Sequence, residues 1–240
     1  MPNHVINKIT IDTNESKYTL EEILATIAYD EESFKKACPE DEFNPYINSI
    51  NFEKIIPMPK SLEIKENTDS ELAFKYILNL KGITTEEVKD LIKIWNEYSF
   101  FEIKDATLTE TDLKKIKNNQ AEYAITGLLI KNNIKKYGYP NWYGWRRDNW
   151  GTKWNAYNFE KGELTNQIIF YTANTTPMKV YRKLTQLFPD VTFTFEWANE
   201  DRGYNAGYAV VKDNDLINYH IYNDYEEDSI NYASNLWNSF

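Results

Sequence analysis

Two hydrophobic periods alternate along this chain of 240 residues. A period of two recurs at Val5, Ile9 and Ile11, with Asn7 on the same face and Ile6, Lys8 and Thr10 on the other, which predicts a first strand over 5–11. It recurs most clearly at Val191, Phe193, Phe195 and Trp197, separated by Thr192, Thr194 and Glu196. That pattern predicts a half-buried strand with one face on the core. Further strands are expected at 167–173, 208–211 and 217–222, near 154–159, and over Ile50–Ile56, where Pro57 and Pro59 end an apolar run.

The helical period appears between them. Thr19 with Glu22 forms a capping box ahead of Leu20, Ile23, Leu24 and Ile27. Asp30 is placed to cap a second short helix reaching about Cys38. A helical block follows, with one helix over 71–80 and a second behind Thr84 and Glu87 that carries Val88, Leu91, Ile92 and Trp95. A third helical region begins at Thr109 with Asp112 and runs to about Tyr137. Thr176 and Pro177 open another helix, striped by Val180, Leu184, Leu187 and Phe188. A last short helix is expected behind Asp228, with Ile230, Ala233 and Trp237 facing inward.

Removing the helical block leaves strand-helix-strand twice, the ferredoxin-like split pattern. The expected fold is therefore α+β: one domain, with residues 1–59 as the first half of the sheet and 60–136 as a helical insertion. Residues 137–240 would hold an aromatic loop, the second half of the sheet and a C-terminal strand and helix extension. The chain has no internal repeat and no Gly/Ser linker.

Composition narrows the class. At 42% hydrophobic and 15% aromatic, the chain can bury a core of large rings. Its longest nearly apolar stretch, 124–130, is far below the roughly 20 residues that span a bilayer. The start MPNHVINKIT lacks a basic cap before an apolar run, and Cys38 is the sole cysteine, so a cytoplasmic protein without a disulfide is expected. Net charge is −10 and unevenly placed. From Asp190 onward ten carboxylates face only Arg202 and Lys212. That balance opposes non-specific nucleic-acid binding, whose affinity comes largely from phosphate contacts.

Four stretches stand out: MPNHVINKI at 1–9, FEKIIPMP at 52–59, YGYPNWYGWRRDNWGTKWNAY at 137–157, and IIFYTANTTP at 168–177 with the FPDVTFTFEWANEDRGYNAG run after it. Together they resemble the family named for the YubB ferredoxin-like domain, usually found on phages and plasmids. WGTKWNAY is the most specific of them. The resemblance implies a ferredoxin-like core with a helical insertion and an origin in a mobile element, and it brings no catalytic residues. Where relatives read Thr-Ala-Trp, this chain has Thr172-Ala173-Asn174.

Candidate chemistry is sparse. Between Tyr137 and Asn158 stand Trp142, Tyr143, Trp145, Trp150 and Trp154, interleaved with Arg146, Arg147 and Lys153. Rings stack on bases or on other rings, and guanidinium groups pair with phosphate or carboxylate. The segment reads either as a recognition loop or as rings docked over the sheet. Glu196, Glu200 and Asp201 form a second candidate, an acidic site able to hold Mg²⁺ or act as an acid and base pair if they converge, or else an ordinary acidic loop. His4 and His220 would meet only if the terminal strands pair. No zinc spacing, P-loop, dinucleotide fingerprint or nucleophile elbow is present, so no metal or cofactor is expected.

Three readings follow. The first is a non-enzymatic interaction module of a mobile element, binding a host or self protein through an acidic face or the aromatic loop. The second is a single-stranded nucleic-acid binder using 137–157. The third is a metal-dependent hydrolase or nuclease using Glu196, Glu200 and Asp201. The first fits the charge asymmetry and the missing catalytic motifs best.

Overall fold

The computed structural model describes residues 2–239. The chain divides into two compact units, Met1–Pro57 with Asn149–Phe240, and Met58–Asp148. The first is built on a sheet and the second on helices.

The sheet unit begins with β1 (His4–Asp12), followed by α1 (Leu20–Ile27), α2 (Glu31–Ala37) and the short α3 (Phe52–Ile55). Both expected N-caps form. Thr19 and Glu22 close a reciprocal capping box, and Asp30 accepts from the backbone N–H of Ser33. The chain returns to this unit after the helical one and adds β2 (Tyr157–Glu160) and β3 (Gln167–Ala173).

In the helical unit, α4 (Thr68–Leu78), α5 (Thr85–Tyr98), α6 (Glu110–Asn118) and α7 (Gln120–Tyr137) precede α8 (Trp142–Asn149). Phe74, Leu78, Leu91, Trp95, Ile130 and Ile134 form its core, with Phe74 stacked on Trp95 at 4.8 Å. The expected box at Thr84 is only half made. Thr84 accepts from the Glu87 N–H, but the Glu87 carboxylate reaches Lys135 at 2.7 Å and Lys131 at 3.2 Å on α7.

The sheet unit ends with α9 (Met178–Leu187), β4 (Thr192–Asn199), β5 (Gly207–Lys212), β6 (Asp215–Ile221) and α10 (Glu227–Asn238). Among the described residues, six strands form one sheet in the order β2-β3-β1-β4-β5-β6, antiparallel throughout. The first four reproduce the ferredoxin-like order, and the β5–β6 hairpin with α10 is the C-terminal extension.

One strand is not where the periodicity put it. Ile50–Ile56 forms no strand, so residues 1–59 supply one strand rather than two. Asn51 caps the α3 turn through the Glu53 N–H, the Phe52 N–H donates to Asn155 Oδ1, and Trp150 Nε1 donates to the Ile56 carbonyl. With these backbone groups satisfied locally and by side chains, Phe52 and Ile55 are buried on a helical turn, and Ile50 is buried just before it. Short apolar runs fit a buried helical turn as well as a strand. The second ferredoxin-like strand is instead β2, roughly a hundred residues later, paired with β3.

The main core lies on one face of the sheet. Ile9 pairs with both Ile168 and Phe195, and Ile11 with Phe193. Over them sit Ile23 and Ile27 of α1 and Val180, Tyr181 and Leu184 of α9, with the Tyr181 ring stacked 4.2 Å from Phe195. Asn7 is fully buried on this face, and its polar atoms are all engaged. Its amide donates to the Val5 carbonyl and to Thr172 Oγ1, and its oxygen accepts from the Tyr181 hydroxyl at 2.7 Å.

Candidate interaction surface

The second face of the sheet carries the even-numbered residues of β1 and β4, and α10 lies over it. Ala233 and Leu236 pack on Ile6, Ile169, Ala198 and Ala206. Trp237 stacks on Tyr171 at 5.5 Å and donates its Nε1 proton to the Asn199 carbonyl at 3.0 Å. Tyr232 donates to the Gly207 carbonyl. The helix is capped by Glu226, two residues before the expected Asp228, and of the three residues expected to face inward Ala233 is buried whereas Ile230 is 40% exposed.

The aromatic segment is not a loop throughout. Trp142–Asn149 is α8, and the segment divides between the two units, up to Asp148 in one and from Asn149 in the other. Trp145 is buried on α8, beside Gly144, where an added Cβ would stand 2.5 Å from that of Tyr98. On the same helix Arg146 lies over the Trp142 ring at 5.1 Å and Arg147 over Tyr143 at 5.2 Å. In the sheet unit Trp150 is fully buried against Phe52. Trp154 is 39% exposed, with Lys153 Nζ 4.6 Å from its ring centre. Of the eight residues singled out, two are core rings and the other six form three cation–ring pairs.

The acidic trio does not come together as a metal site. Glu196 meets Lys8 across the β1–β4 pair at 2.6 Å. Asp201 accepts from the Tyr225 hydroxyl at 2.9 Å. Glu200 follows β4, its N–H donating to the His4 carbonyl. Among the described residues, no group of three or more His, Cys, Asp or Glu side chains is placed to hold a metal ion. The histidines are also apart. His4 on β1 contacts the Tyr157 hydroxyl at 2.8 Å, whereas His220 on β6 lies beyond β4 and β5. Burial, and then the charge of Glu200, pushes the Tyr157 phenol up to about 12.

The edge strand β6 is an exposed feature of the sheet unit, and all seven of its residues are exposed. Leu216 is 53% exposed, Ile217 63%, Tyr219 59% and Ile221 65%. The hairpin that presents them turns at Asp213 and Asn214, both at positive φ, as the tight primed turns require. Register is regular from Gly207–Ile221 to Val210–Asn218 and then shifts at Val211, leaving Ile217 without a partner on β5. The Tyr222 N–H donates to the Ala206 carbonyl. By antiparallel alternation, the N–H and C=O of Ile221 and Tyr219 then point off the edge of the sheet. Their side chains share a face with Ala209 and Gly207, which pair with Phe195 and Trp197, so they continue the core face past its buried part.

Carboxylates bracket this strand. Asp213 and Asp215 stand at one end and Asp224, Glu226, Glu227 and Asp228 at the other, with no Lys or Arg after Lys212. Lys212 itself is paired with Glu15. The sequence showed the strand and the acidic run. It did not show that they coincide at an uncovered edge, and the only local hint was apolar residues in the last strand of a hairpin.

The four-strand order, the two crossover connections and the helices on its core face define a ferredoxin-like domain. In agreement, a family model described as the ferredoxin-like domain in Api92-like protein matches residues 149–238, from the point where the chain re-enters the sheet unit. Among solved structures, the chain is similar to the crystal structure of protein api92 from Yersinia pseudotuberculosis. That alignment covers 92% of this chain and 98% of the other at 13% identity, with a TM-score of 0.40. No curated protein matches. No helix among the described residues is long and apolar enough to cross a membrane.

Proposed function

We propose that this protein is a non-enzymatic interaction module of a mobile genetic element and binds a basic host protein through its acidic C-terminal face. The observation that carries the reading is the bracketing of an exposed edge strand by carboxylates, with no lysine or arginine in the sequence beyond Lys212. Concentrated single-sign charge raises association rates and selects partners of opposite charge. The same charge repels nucleic acid, and α10 occupies the sheet face on which bases would stack in a ferredoxin-like binder. The engagement of Glu196 by Lys8 and of Asp201 by Tyr225 gives the hydrolase reading little support.

The test compares the wild-type protein with a variant carrying Asp213→Asn, Asp215→Asn, Asp224→Asn and Glu227→Gln, both immobilised and exposed to host lysate. The wild type is expected to retain a stoichiometric basic protein that is released by salt, and the variant to retain at least ten-fold less. Capture that is equal on both proteins, or absent from both at low salt, refutes the reading.

A further inference from the structure

The proposed acidic face has at its centre a strand with one unpaired edge, and the two features together specify how a partner would engage it. Natural sheets blunt such edges with lysine, proline, bulges or a covering element. β6 carries neither lysine nor proline, and the irregularity at Ile217 leaves Asn218–Ile221 regularly paired on the inner side. The outward N–H and C=O groups of Tyr219 and Ile221 form a short template. Their side chains, 59% and 65% exposed, offer apolar contact on the face that continues the core.

From this we infer that β6 receives an extended segment of the partner as a seventh strand. The segment would be apolar at alternate positions, to cover Tyr219 and Ile221, and would carry lysine or arginine at both ends to meet Asp213 and Asp215 on one side and Asp224, Glu226 and Glu227 on the other. Main-chain hydrogen bonds supply affinity in this mode, and the alternate side chains with the flanking charges supply selectivity. The charge pattern also decides against a second copy of this chain. Antiparallel pairing of two β6 strands would bring the Asp213–Asp215 end of one beside the Asp224 end of the other, setting carboxylates against carboxylates. The inference rests on the acidic-face reading and adds its geometry.

The experiment uses the full chain and a synthetic peptide with alternating valine and threonine in its centre and a Lys-Arg pair at each end. A second peptide of the same sequence is N-methylated at every central amide, which keeps the charge and removes the strand donors. The unmethylated peptide is expected to bind, to slow amide exchange at Tyr219 and Ile221, and to lose at least ten-fold in affinity on methylation. The protein variant Tyr219→Thr with Ile221→Thr, which preserves charge and strand propensity, is expected to bind it several-fold more weakly. Equal binding of both peptides, with exchange at these amides unchanged, overturns strand addition while leaving the acidic-face reading intact. Failure of the unmethylated peptide to bind at low salt overturns strand addition alone, because lysate capture by the charge variant judges the other reading. Self-association of the wild type that the double threonine variant abolishes also overturns it, by assigning the strand to a second copy.

Discussion

Replacing Tyr181 by phenylalanine tests whether the buried polar knot at the centre of the sheet holds this fold in register. Tyr181 is 3% exposed and Asn7 fully buried, and their 2.7 Å hydrogen bond joins α9 to the central strand β1. The substitution removes one hydroxyl and keeps the ring that stacks on Phe195. Asn7 Oδ1 then lies in an apolar interior without that donor, a loss that costs about 1–3 kcal/mol. Asn7→Leu strands the Tyr181 hydroxyl instead, and takes one partner from Thr172 Oγ1. In the double variant the two apolar groups face each other, so its cost falls short of the sum of the single costs by about 1–2 kcal/mol, a coupling typical of contacting residues. Native-state amide exchange along β1 measures the opening free energy of this strand, and urea unfolding gives the global value. Tyr46→Phe serves as the control, because Tyr46 is 89% exposed. A Tyr181→Phe cost below about 0.5 kcal/mol, or strictly additive single costs, would mean that the hydroxyl is solvated or shared and would refute the argument.

Three further outcomes follow from the same geometry. Gly127→Ala places a Cβ 2.2 Å from the Ala73 carbonyl oxygen, where α7 crosses α4, so thermal unfolding should show a loss of about 1–3 kcal/mol; a gain, as helix propensity alone predicts, would contradict the close approach. Trp150→Ala empties a fully buried site and removes the bond to the Ile56 carbonyl, which should cost about 3–5 kcal/mol in urea titration; a change within experimental error would return this ring to the list of binding residues. Burial raises the phenols of Tyr157, Tyr181 and Tyr232, that of Tyr157 to about 12. The unfolded chain ionises first, near the usual value of about 10, so this stability is complete below pH 10 and is lost as pH rises through the folded values. Urea unfolding between pH 8 and about 11.5, followed with phenolate absorbance, should show that decline, and flat stability with tyrosines all titrating at their usual value would exclude it.

Features set by near neighbours in sequence were legible without coordinates. The boxes at Thr19 with Glu22 and Thr109 with Asp112 join a cap and a carboxylate three residues apart, so both partners are visible in the local sequence. The alternation at Val191–Trp197 named the buried face of β4, since strand side chains must alternate. The α+β, ferredoxin-like class was read from the order of such elements, although one strand of that order was placed at Ile50–Ile56 and is supplied by Tyr157–Glu160.

Tertiary structure decided what depends on partners distant in the chain. Glu87 has the spacing for a capping box, yet its carboxylate goes to two lysines of α7. Ile50–Ile56 is as apolar as a strand, yet the strand position beside β3 belongs to Tyr157–Glu160, while the Phe52 N–H and the Ile56 carbonyl are taken by the distant side chains of Asn155 and Trp150. The same holds for the candidate site. Composition gave the rings of 142–154 and the carboxylates of the C-terminal region, but burial is a property of what lies overhead. Trp145 and Trp150 became core, α10 covered one sheet face, and Tyr219 and Ile221 were left uncovered at its edge, a distinction that no local pattern of polar and apolar residues contains.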